Sequence, residues 1–194
     1  MNKAELIAFE DEIRELFNAG KIAAPIHLAS GNEDQLIDIF KRIKSNDWVF
    51  GTWRSHYHCL LKGVPPKELK AKIVAGRSIG LCFPEHRILC SALVGGNAPL
   101  AVGMAMAIKR SGGSEKVYCF LGDMGATTGI FHECSNYAVG HQLPIKFIIE
   151  NNRMSVQTDT MRSWGGPFEE PPDIDEYEYT LDVPHVGTGK WSGL

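Results

Sequence analysis

Hydrophobic residues recur along the chain with helical spacing in some segments and as short unbroken runs in others. Apolar residues three or four positions apart predict amphipathic helices over 3–18, 33–44 and 128–141. Short apolar runs at 117–121 and 145–149 flank the third of these segments and predict strands. The pattern therefore predicts a strand–helix–strand unit whose two strands are parallel.

The remaining segments supply further elements of the same kinds. Pro65-Pro66 opens a predicted helix, because proline is favoured in the first helical turn, and Gly76 lies near its end. Asn32 is the predicted N-cap of the helix over 33–44. The other predicted segments are an extended one at 48–53, an irregular one at 77–91 and a buried, nearly all-apolar helix at 99–109.

Helices that alternate with strands in this way indicate an α/β fold. We predict one domain over residues 1–160, in which a central, mainly parallel sheet carries helices on both faces. Residues 161–194 contain proline, glycine and acidic residues with little periodicity, and we predict a C-terminal extension that packs on the domain or on a partner.

Composition narrows the class of protein. Of the 194 residues, 44% are hydrophobic and 22% are charged, which is typical of a soluble globular protein. The net charge of -3 and the lack of a basic cluster predict no nucleic-acid partner and no binding to an acidic membrane. No apolar run approaches the ~20 residues of a membrane span. Five cysteines without a CxxC pair favour reduced thiols in the cytoplasm and argue against a zinc site.

Two polar side chains follow the two strands of the predicted strand–helix–strand unit. Asp123 comes directly after the first strand and Asn152 after the second. Because the carboxyl ends of parallel strands meet at one edge of a sheet, where ligands bind in such folds, we expect both side chains to lie together. A carboxylate, an amide oxygen and the carbonyl of Met154 are suitable ligands for magnesium. Ordinary turns after strands are the alternative interpretation.

Phosphate-binding candidates lie near these residues or upstream of them. Thr127 and Thr128 precede the predicted helix, whose N-terminal amides and dipole favour an anion, although a helix cap without a ligand has the same pattern. Arg54 follows Trp53 at the end of an element and can bind phosphate with two N–H groups, although an isolated surface arginine is more common. His27 is interpreted by itself as a hydrogen-bonded core histidine.

Taken together, these segments resemble one family. GDMGATTGIFHECSNYAVGHQLPIKFIIENNRM resembles the thiamine-diphosphate motif, which begins Gly-Asp-Gly and ends Asn-Asn. IHLASGNE, GTWRSHYHCLLKG and SALVGGNAPLAVGMAMAIK resemble upstream segments of the alpha subunit of thiamine-diphosphate-dependent 2-oxo acid dehydrogenases, of the pyruvate and branched-chain type. The resemblance extends over about residues 4–160 and implies the thiamine-diphosphate-binding fold.

The resemblance also implies roles for individual residues. Magnesium would be held by the side chains of Asp123 and Asn152 and by the carbonyl of Met154. Main-chain groups of Ala92 and Val94 would contact the aminopyrimidine ring of the cofactor. The residues that it places against the cofactor are His27, Trp53, Arg54, Ala92, Val94, Asp123, Met124, Gly125, Ala126 and Asn152.

The family resemblance implies an activity that needs partners. It implies decarboxylation of a 2-oxo acid and transfer of the resulting acyl or aldehyde unit to an acceptor. The glutamate that activates the cofactor comes from a beta-type subunit in this family, so we expect an alpha2beta2 assembly and an inactive isolated chain. A lipoyl carrier domain is the further partner that this reaction implies.

The sequence departs from the family pattern at three places. Met124 stands where the motif has its second glycine, and a methionine adopts unusual backbone angles less freely. The family's glycine-rich loop is shortened to residues 80–86, in which His86 is the candidate for the loop histidine. The chain ends at Leu194, short of a usual alpha subunit.

These departures keep two other functions open. One is transketolase-like transfer of a two-carbon ketol unit from a ketose, which calls for a polar funnel rich in histidines. His27, His56, His58 and His86 are the residues that can supply it, and we take His27, His56 and His86 as the candidate catalytic residues. The other is a non-catalytic partner subunit with a degenerate site, against which the intact Asp123 and Asn152 pair argues.

Overall fold

The computed structural model describes residues 1–166 and 174–189, which form helices and strands in alternation. The helices are α1 (Lys3–Asn18), α2 (Glu33–Phe40), α3 (His56–Leu61), α4 (Pro66–Val74), α5 (Asn97–Ser111), α6 (Asp123–Ala126), α7 (Gly129–Gly140) and α8 (Thr160–Trp164). The strands are β1 (Trp48–Gly51), β2 (Cys82–Phe83), β3 (Ile88–Cys90), β4 (Val117–Gly122), β5 (Ile145–Asn151), β6 (Met154–Ser155), β7 (Thr158–Asp159) and β8 (Ile174–Glu178).

Six of these strands form one sheet in the order β2-β3-β1-β4-β5-β8. Every neighbouring pair is parallel except β2 with β3 at one edge. Strands β4 and β5 are joined through α6 and α7, so the predicted strand–helix–strand unit is confirmed at the centre of the sheet. The edge strand β8 lies within the segment that was predicted to be an extension. Strands β6 and β7 form a separate hairpin.

Side chains of the central strands point alternately into two hydrophobic cores. Along β4, Val117, Cys119 and Leu121 face the core that α5 and α7 cover, whereas Phe120 faces the core beneath α1 to α4. This alternation buries the sheet on both faces, as parallel sheets require. Each fully buried large apolar side chain contributes roughly 1.5–3 kcal/mol. The predicted α/β class, with helices on both faces of a mainly parallel sheet, is confirmed.

Helix α1 begins and ends where the sequence predicts, because its signals are local. Asn2 accepts a hydrogen bond from the Glu5 N–H at 3.0 Å, and the Glu5 carboxylate accepts from the Asn2 N–H at 2.7 Å. This reciprocal capping box satisfies two N–H groups that the helix leaves without partners. Gly20, at a φ of 68°, follows the end of the helix.

Replacing Asn2 with alanine is expected to reduce the free energy of unfolding by about 1 kcal/mol, because the cap hydrogen bond is lost. For a chain of this size, that change lowers the melting temperature by about 2–4 °C. Thermal unfolding followed by circular dichroism measures the effect. Asn2→Asp, which keeps an acceptor oxygen, is the control and should melt like the unmodified protein; an equal loss in both variants would contradict the capping role.

Three predicted elements differ in the structure. Helix α2 ends at Phe40 instead of residue 44, because the next hydrogen bonds tighten from i−4 to i−3 spacing, as from Arg42 N to Ile39 O at 3.0 Å. Segment 77–91 contains β2 and β3, whose two or three residues are too few to show a pattern. Helix α5 covers the sheet with one face only, which leaves Leu100 51% exposed.

Within residues 1–166 and 174–189, the helices lack the combined length and apolarity that crossing a membrane requires.

Candidate functional site

A cavity of about 670 Å³ opens at the carboxyl ends of β4 and β5. It lies where the chain leaves these neighbouring parallel strands, which is the usual ligand site of an open α/β sheet. Its walls come from both the strand ends and the loops around them. The residues that line it include Asn32, Trp53, Arg54, Leu93, Val94, Asp123, Met124, Gly125, Thr128, Glu150, Asn152, Met154, Val156, Trp164, Tyr179 and His185.

The predicted pair of cation ligands lies together at this cavity. Asp123 begins α6 directly after β4 and is only 3% exposed, and its carboxylate accepts a hydrogen bond from the hydroxyl of Thr160. Burial raises the pKa of the Asp123 carboxyl, and the Thr160 hydrogen bond opposes that shift. Asn152 follows β5, and its Oδ1 accepts from the Met154 N–H at 3.0 Å. The carboxylate and amide oxygens retain lone pairs for a cation.

The turn after β4 accommodates the departure at Met124. Residues 123–126 form the short helix α6, so Met124 has ordinary helical backbone angles and needs no glycine. Gly95, in contrast, has a φ of 71°, and a Cβ there would lie 2.8 Å from Thr128 Oγ1. This close approach lets the loop that carries Val94 pack against the start of α7, so both reach the cavity wall.

Arg54 lines the cavity, and main-chain carbonyls hold its guanidinium. Its Nε donates to the Leu28 carbonyl at 3.0 Å and its Nη2 to the His185 carbonyl at 3.1 Å. The ring of His27 lies behind the wall, 5.9 Å from the Trp53 ring, and its Nδ1 donates to the same His185 carbonyl at 2.7 Å. Burial lowers the pKa of His27 to about 4, so the ring is neutral at pH 7.

His56 and His86, two of the predicted catalytic residues, are not among the residues that line the cavity. His56 is fully buried: its Nδ1 lies 3.0 Å from Glu10 Oε1 and its Nε2 2.8 Å from Ser78 Oγ. His56 thus pairs with the buried carboxylate of Glu10, and this contact is structural. His86 lies in the 3₁₀ turn between β2 and β3, with its ring 6.4 Å from that of Phe83.

Three further predicted positions also lie outside the wall of the cavity. Ala92 is exposed one residue before the lining loop, and Ala126, the last residue of α6, is buried at 1% exposure. His58 is packed in the core, with the rings of Phe40 and Phe120 centred 5.9 Å and 4.5 Å from its own. His56 and His58 both lie in the buried helix α3, and neither lines the cavity.

Several lining residues are absent from the sequence-based set. Glu150 is 6% exposed, and its Oε1 accepts from the Tyr177 hydroxyl at 2.5 Å and from Asn32 Nδ2 at 3.3 Å. Asn32 is thus a site residue rather than a side-chain helix cap, since its amide turns toward Glu150. Glu150 sits two residues before Asn152 and was identifiable by that position. Tyr179 and His185 carry no local sequence signal.

Two buried polar atoms of lining residues have no hydrogen-bond partner among the described residues. They are Asn32 Oδ1 and Trp53 Nε1. A buried polar atom without a partner costs about 1–3 kcal/mol, so such atoms mark places where a ligand or water completes the structure. Among the described lining residues, these two atoms add one buried acceptor and one buried donor to the Asp123 and Asn152 oxygens.

The sequence is similar to that of known proteins. Residues 1–167 match the model of the family described as dehydrogenase E1 component. The chain is 31% identical over 159 residues to the alpha subunit of acetoin:2,6-dichlorophenolindophenol oxidoreductase of Bacillus subtilis, covering 76% of this chain and 47% of that protein.

Two pyruvate dehydrogenase subunits show the same level of similarity. The chain is 32% identical to the pyruvate dehydrogenase E1 component subunit alpha of Porphyra purpurea, covering 76% of this chain and 48% of that one. It is 31% identical to the subunit of the same name from Rickettsia prowazekii, covering 80% and 51%. The chain thus spans about half the length of these relatives. The chain belongs to the dehydrogenase E1 component family, and the three relatives described above are alpha subunits.

Proposed function

We propose that this chain is the alpha-type subunit of a thiamine-diphosphate- and magnesium-dependent 2-oxo acid dehydrogenase. The observation that carries the proposal is the position of Asp123 and Asn152 at the ends of adjacent parallel strands, on a cavity that Arg54 also lines. Magnesium prefers oxygen ligands and keeps phosphate oxygens in its coordination shell, and an arginine binds phosphate with paired N–H groups. The pyruvate dehydrogenase relatives support the substrate class.

The donor set of the cavity fits the diphosphate and magnesium of that cofactor. Two of the five N–H groups of Arg54 donate to carbonyls, so up to three remain for a ligand. Trp53 Nε1 and Asn32 Oδ1 are buried without partners, and a polar ligand would satisfy them. The exposed apolar surface of Val94 suits the uncharged part of a cofactor ring.

Each group in the wall then has a separate task. Bound thiamine diphosphate supplies a carbon nucleophile for the substrate carbonyl and a sink for the electron pair released on decarboxylation. Asp123 and Asn152 hold the metal, Arg54 binds the diphosphate, and the Val94 loop supports the ring. His27, which is neutral, donates through Nδ1 to the His185 carbonyl that also accepts from Arg54, and it stays the proposed catalytic histidine.

The apolar rim of the cavity is the observation that favours a beta-type partner. Leu93, Val94, Val156 and Trp164 all line the cavity, yet they are 74%, 54%, 57% and 48% exposed. Contiguous exposed apolar side chains mark interaction surfaces. We propose that the beta-type subunit covers this rim in an alpha2beta2 assembly. We also propose that it supplies the activating glutamate, because the Glu150 carboxylate of this chain already accepts hydrogen bonds from Asn32 and Tyr177. A lipoyl carrier domain is the proposed acceptor of the acyl unit. The proposed location is the cytoplasm, with which the free cysteines are compatible.

The histidine positions favour this reaction over ketol transfer. A polar funnel for a sugar was the feature that kept transketolase-like transfer open. His56 and His58 are buried in the core, His86 lies away from the cavity and His27 lies behind its wall, so none of these four histidines lines the cavity. The intact pair of cation ligands favours a subunit that binds cofactor over a non-catalytic one.

Calorimetric titration of thiamine diphosphate into the chain tests the proposal. We expect binding with magnesium, and none when the metal is chelated or when thiamine without phosphates replaces the cofactor, since the metal and Arg54 recognise the diphosphate. The same titration with a beta-type subunit present should give tighter binding and allow decarboxylation of a 2-oxo acid. Absence of binding both with and without the beta-type subunit would refute the cofactor assignment.

A further inference from the structure

The hairpin of β6 and β7 connects two parts of the candidate cation site. It begins two residues after Asn152, and its first residue is Met154, whose carbonyl is the third predicted magnesium ligand. The two strands pair in antiparallel register, and the chain reverses direction over the two residues between them. Thr160 comes directly after β7, at the start of α8. The hairpin therefore brings Thr160 back beside the residues at which it began.

Thr160 makes two hydrogen bonds that join separate segments of the chain. Its N–H donates to the Arg153 carbonyl at 3.0 Å, which closes the base of the hairpin. Its hydroxyl donates to Oδ2 of Asp123, 37 positions earlier in the chain, and both side chains are buried. Thr160 thus connects the turn after β4, which supplies one candidate cation ligand, to the hairpin after β5.

The hydroxyl of Thr160 orients the Asp123 carboxylate and leaves it able to bind a cation. A hydroxyl donates one hydrogen and has no charge, so it does not neutralise the carboxylate as a lysine or arginine would. A carboxylate has about four lone-pair sites, of which this hydrogen bond uses one. Thr160 is not among the residues that line the cavity, so its contact with the site is through Asp123.

Both candidate side-chain ligands are held by the same hairpin. The Met154 N–H donates to the Asn152 amide oxygen at 3.0 Å, and the Thr160 hydroxyl donates to Asp123. Magnesium requires near-ideal octahedral geometry, with ligand oxygens at about 2.0–2.1 Å, so the orientation of each ligand matters. The terminal torsion of an aspartate is otherwise broad. Groups that orient a metal ligand typically change metal affinity by about 10–100-fold.

We propose that Thr160 is a positioning residue of the cation site: its hydroxyl fixes the orientation of the Asp123 carboxylate for magnesium and ties the hairpin of β6 and β7 to that ligand. This inference rests on the function proposed above and adds a residue that acts through Asp123 alone. The ligand class is a small divalent cation that demands octahedral oxygen coordination.

Calorimetry on variants of the whole chain tests the role of the hydroxyl. Thr160→Val keeps the shape of the side chain without the hydroxyl, and it should raise the magnesium concentration for half-maximal thiamine diphosphate binding about 10-fold. Thr160→Ser keeps the hydroxyl and should need the same magnesium concentration as the unmodified chain. Thr158→Val is the control, because it removes an exposed hydroxyl from the same hairpin outside the cavity.

A second cation separates positioning from general support of the fold. Calcium accepts about 6–8 oxygen ligands in flexible geometry, so it depends less on the orientation of one carboxylate. Thr160→Val should therefore raise the calcium requirement for thiamine diphosphate binding clearly less than the magnesium requirement. A variant that is merely less stable would need more of both cations to the same degree. The ratio of the two requirements is thus the measurement that reports positioning.

The outcomes distinguish this inference from the proposed function. If the unmodified chain binds thiamine diphosphate with magnesium and Thr160→Val needs no more of the metal, the inference is overturned and the proposed function stands. Equal losses for magnesium and calcium, or equal losses in Thr160→Val and Thr160→Ser, also overturn it. If the unmodified chain does not bind even with a beta-type subunit, both fall. Should Thr160→Val fail to fold, Thr160→Ala removes the same hydroxyl and replaces it in every comparison.

Discussion

Replacing Asp123 with alanine is expected to reduce magnesium-dependent binding of thiamine diphosphate by about 100-fold or more. Asp123 is the carboxylate placed next to Asn152 at the ends of β4 and β5, and its removal leaves an amide and a carbonyl as the neutral protein ligands. Neutral oxygens bind magnesium weakly unless a carboxylate contributes charge. Titration of the cofactor in the presence of magnesium measures the loss.

The same substitution should leave the ligand-free fold intact. Asp123 is 3% exposed and its pKa is raised by burial, so the ionised carboxylate destabilises the folded chain above that pKa. We therefore expect the melting temperature of Asp123→Ala at pH 7 to lie close to that of the unmodified protein, because loss of the Thr160 hydrogen bond opposes the gain from removing a buried charge. A binding site that costs stability is common in enzymes.

Two controls make the Asp123 result specific. Asp123→Asn keeps the size of the side chain and tests whether charge is needed. Asp38→Ala removes an exposed carboxylate that pairs with Lys41 at 3.2 Å on α2, so it changes the net charge equally without touching the cavity. Retention of full magnesium-dependent affinity in Asp123→Ala would remove this residue from the metal site.

Replacing Gly31 with alanine is expected to destabilise the fold by about 3 kcal/mol, the second of the two large effects. Gly31 has a φ of 83°, where an L-residue costs roughly 1–2 kcal/mol. The added Cβ would also lie 1.9 Å from the Thr180 oxygen, so the backbone of one segment must move. The melting temperature should fall by about 6–12 °C.

Gly20→Ala is the matched control for this substitution. Gly20 has a φ of 68°, but no atom lies within 4 Å of the position of its Cβ. It therefore reports the backbone cost alone, about 1–2 kcal/mol. We expect Gly31→Ala to lose clearly more, and to weaken thiamine diphosphate binding as Thr180 shifts away with Tyr179. Equal losses in the two variants would show that residues 180 and 31 are not in close contact.

The parts of the fold that sequence predicts well are those with local causes. Helix α1 has its predicted bounds because its period, the Asn2 cap and Gly20 all lie within the segment. The strand–helix–strand unit was predictable for the same reason, since β4 and β5 are long apolar runs. Strands β2 and β3 have two and three residues, so only pairing with neighbours makes them strands.

The residues of the cavity also differ in whether a local sequence pattern predicts their position. Asp123, Asn152 and Arg54 follow strands or extended segments, and the end of a parallel strand leads to the ligand edge of the sheet whatever the rest of the chain does. His56 and His86, in contrast, have no such positional signal and lie away from the cavity. Burial beside Glu10 decided the role of His56, and that contact spans 46 positions.

The sequence by itself determined the α/β class, the parallel unit around β4 and β5, and the acid and amide that follow them, because all of these depend on short-range patterns. The tertiary structure alone decided which distant groups complete the site. Tyr179 reaches the cavity through the register of β8 on β5, and the His185 carbonyl meets Arg54 across 131 positions. No local pattern encodes these contacts, since strand register and docking depend on burial of the whole sheet.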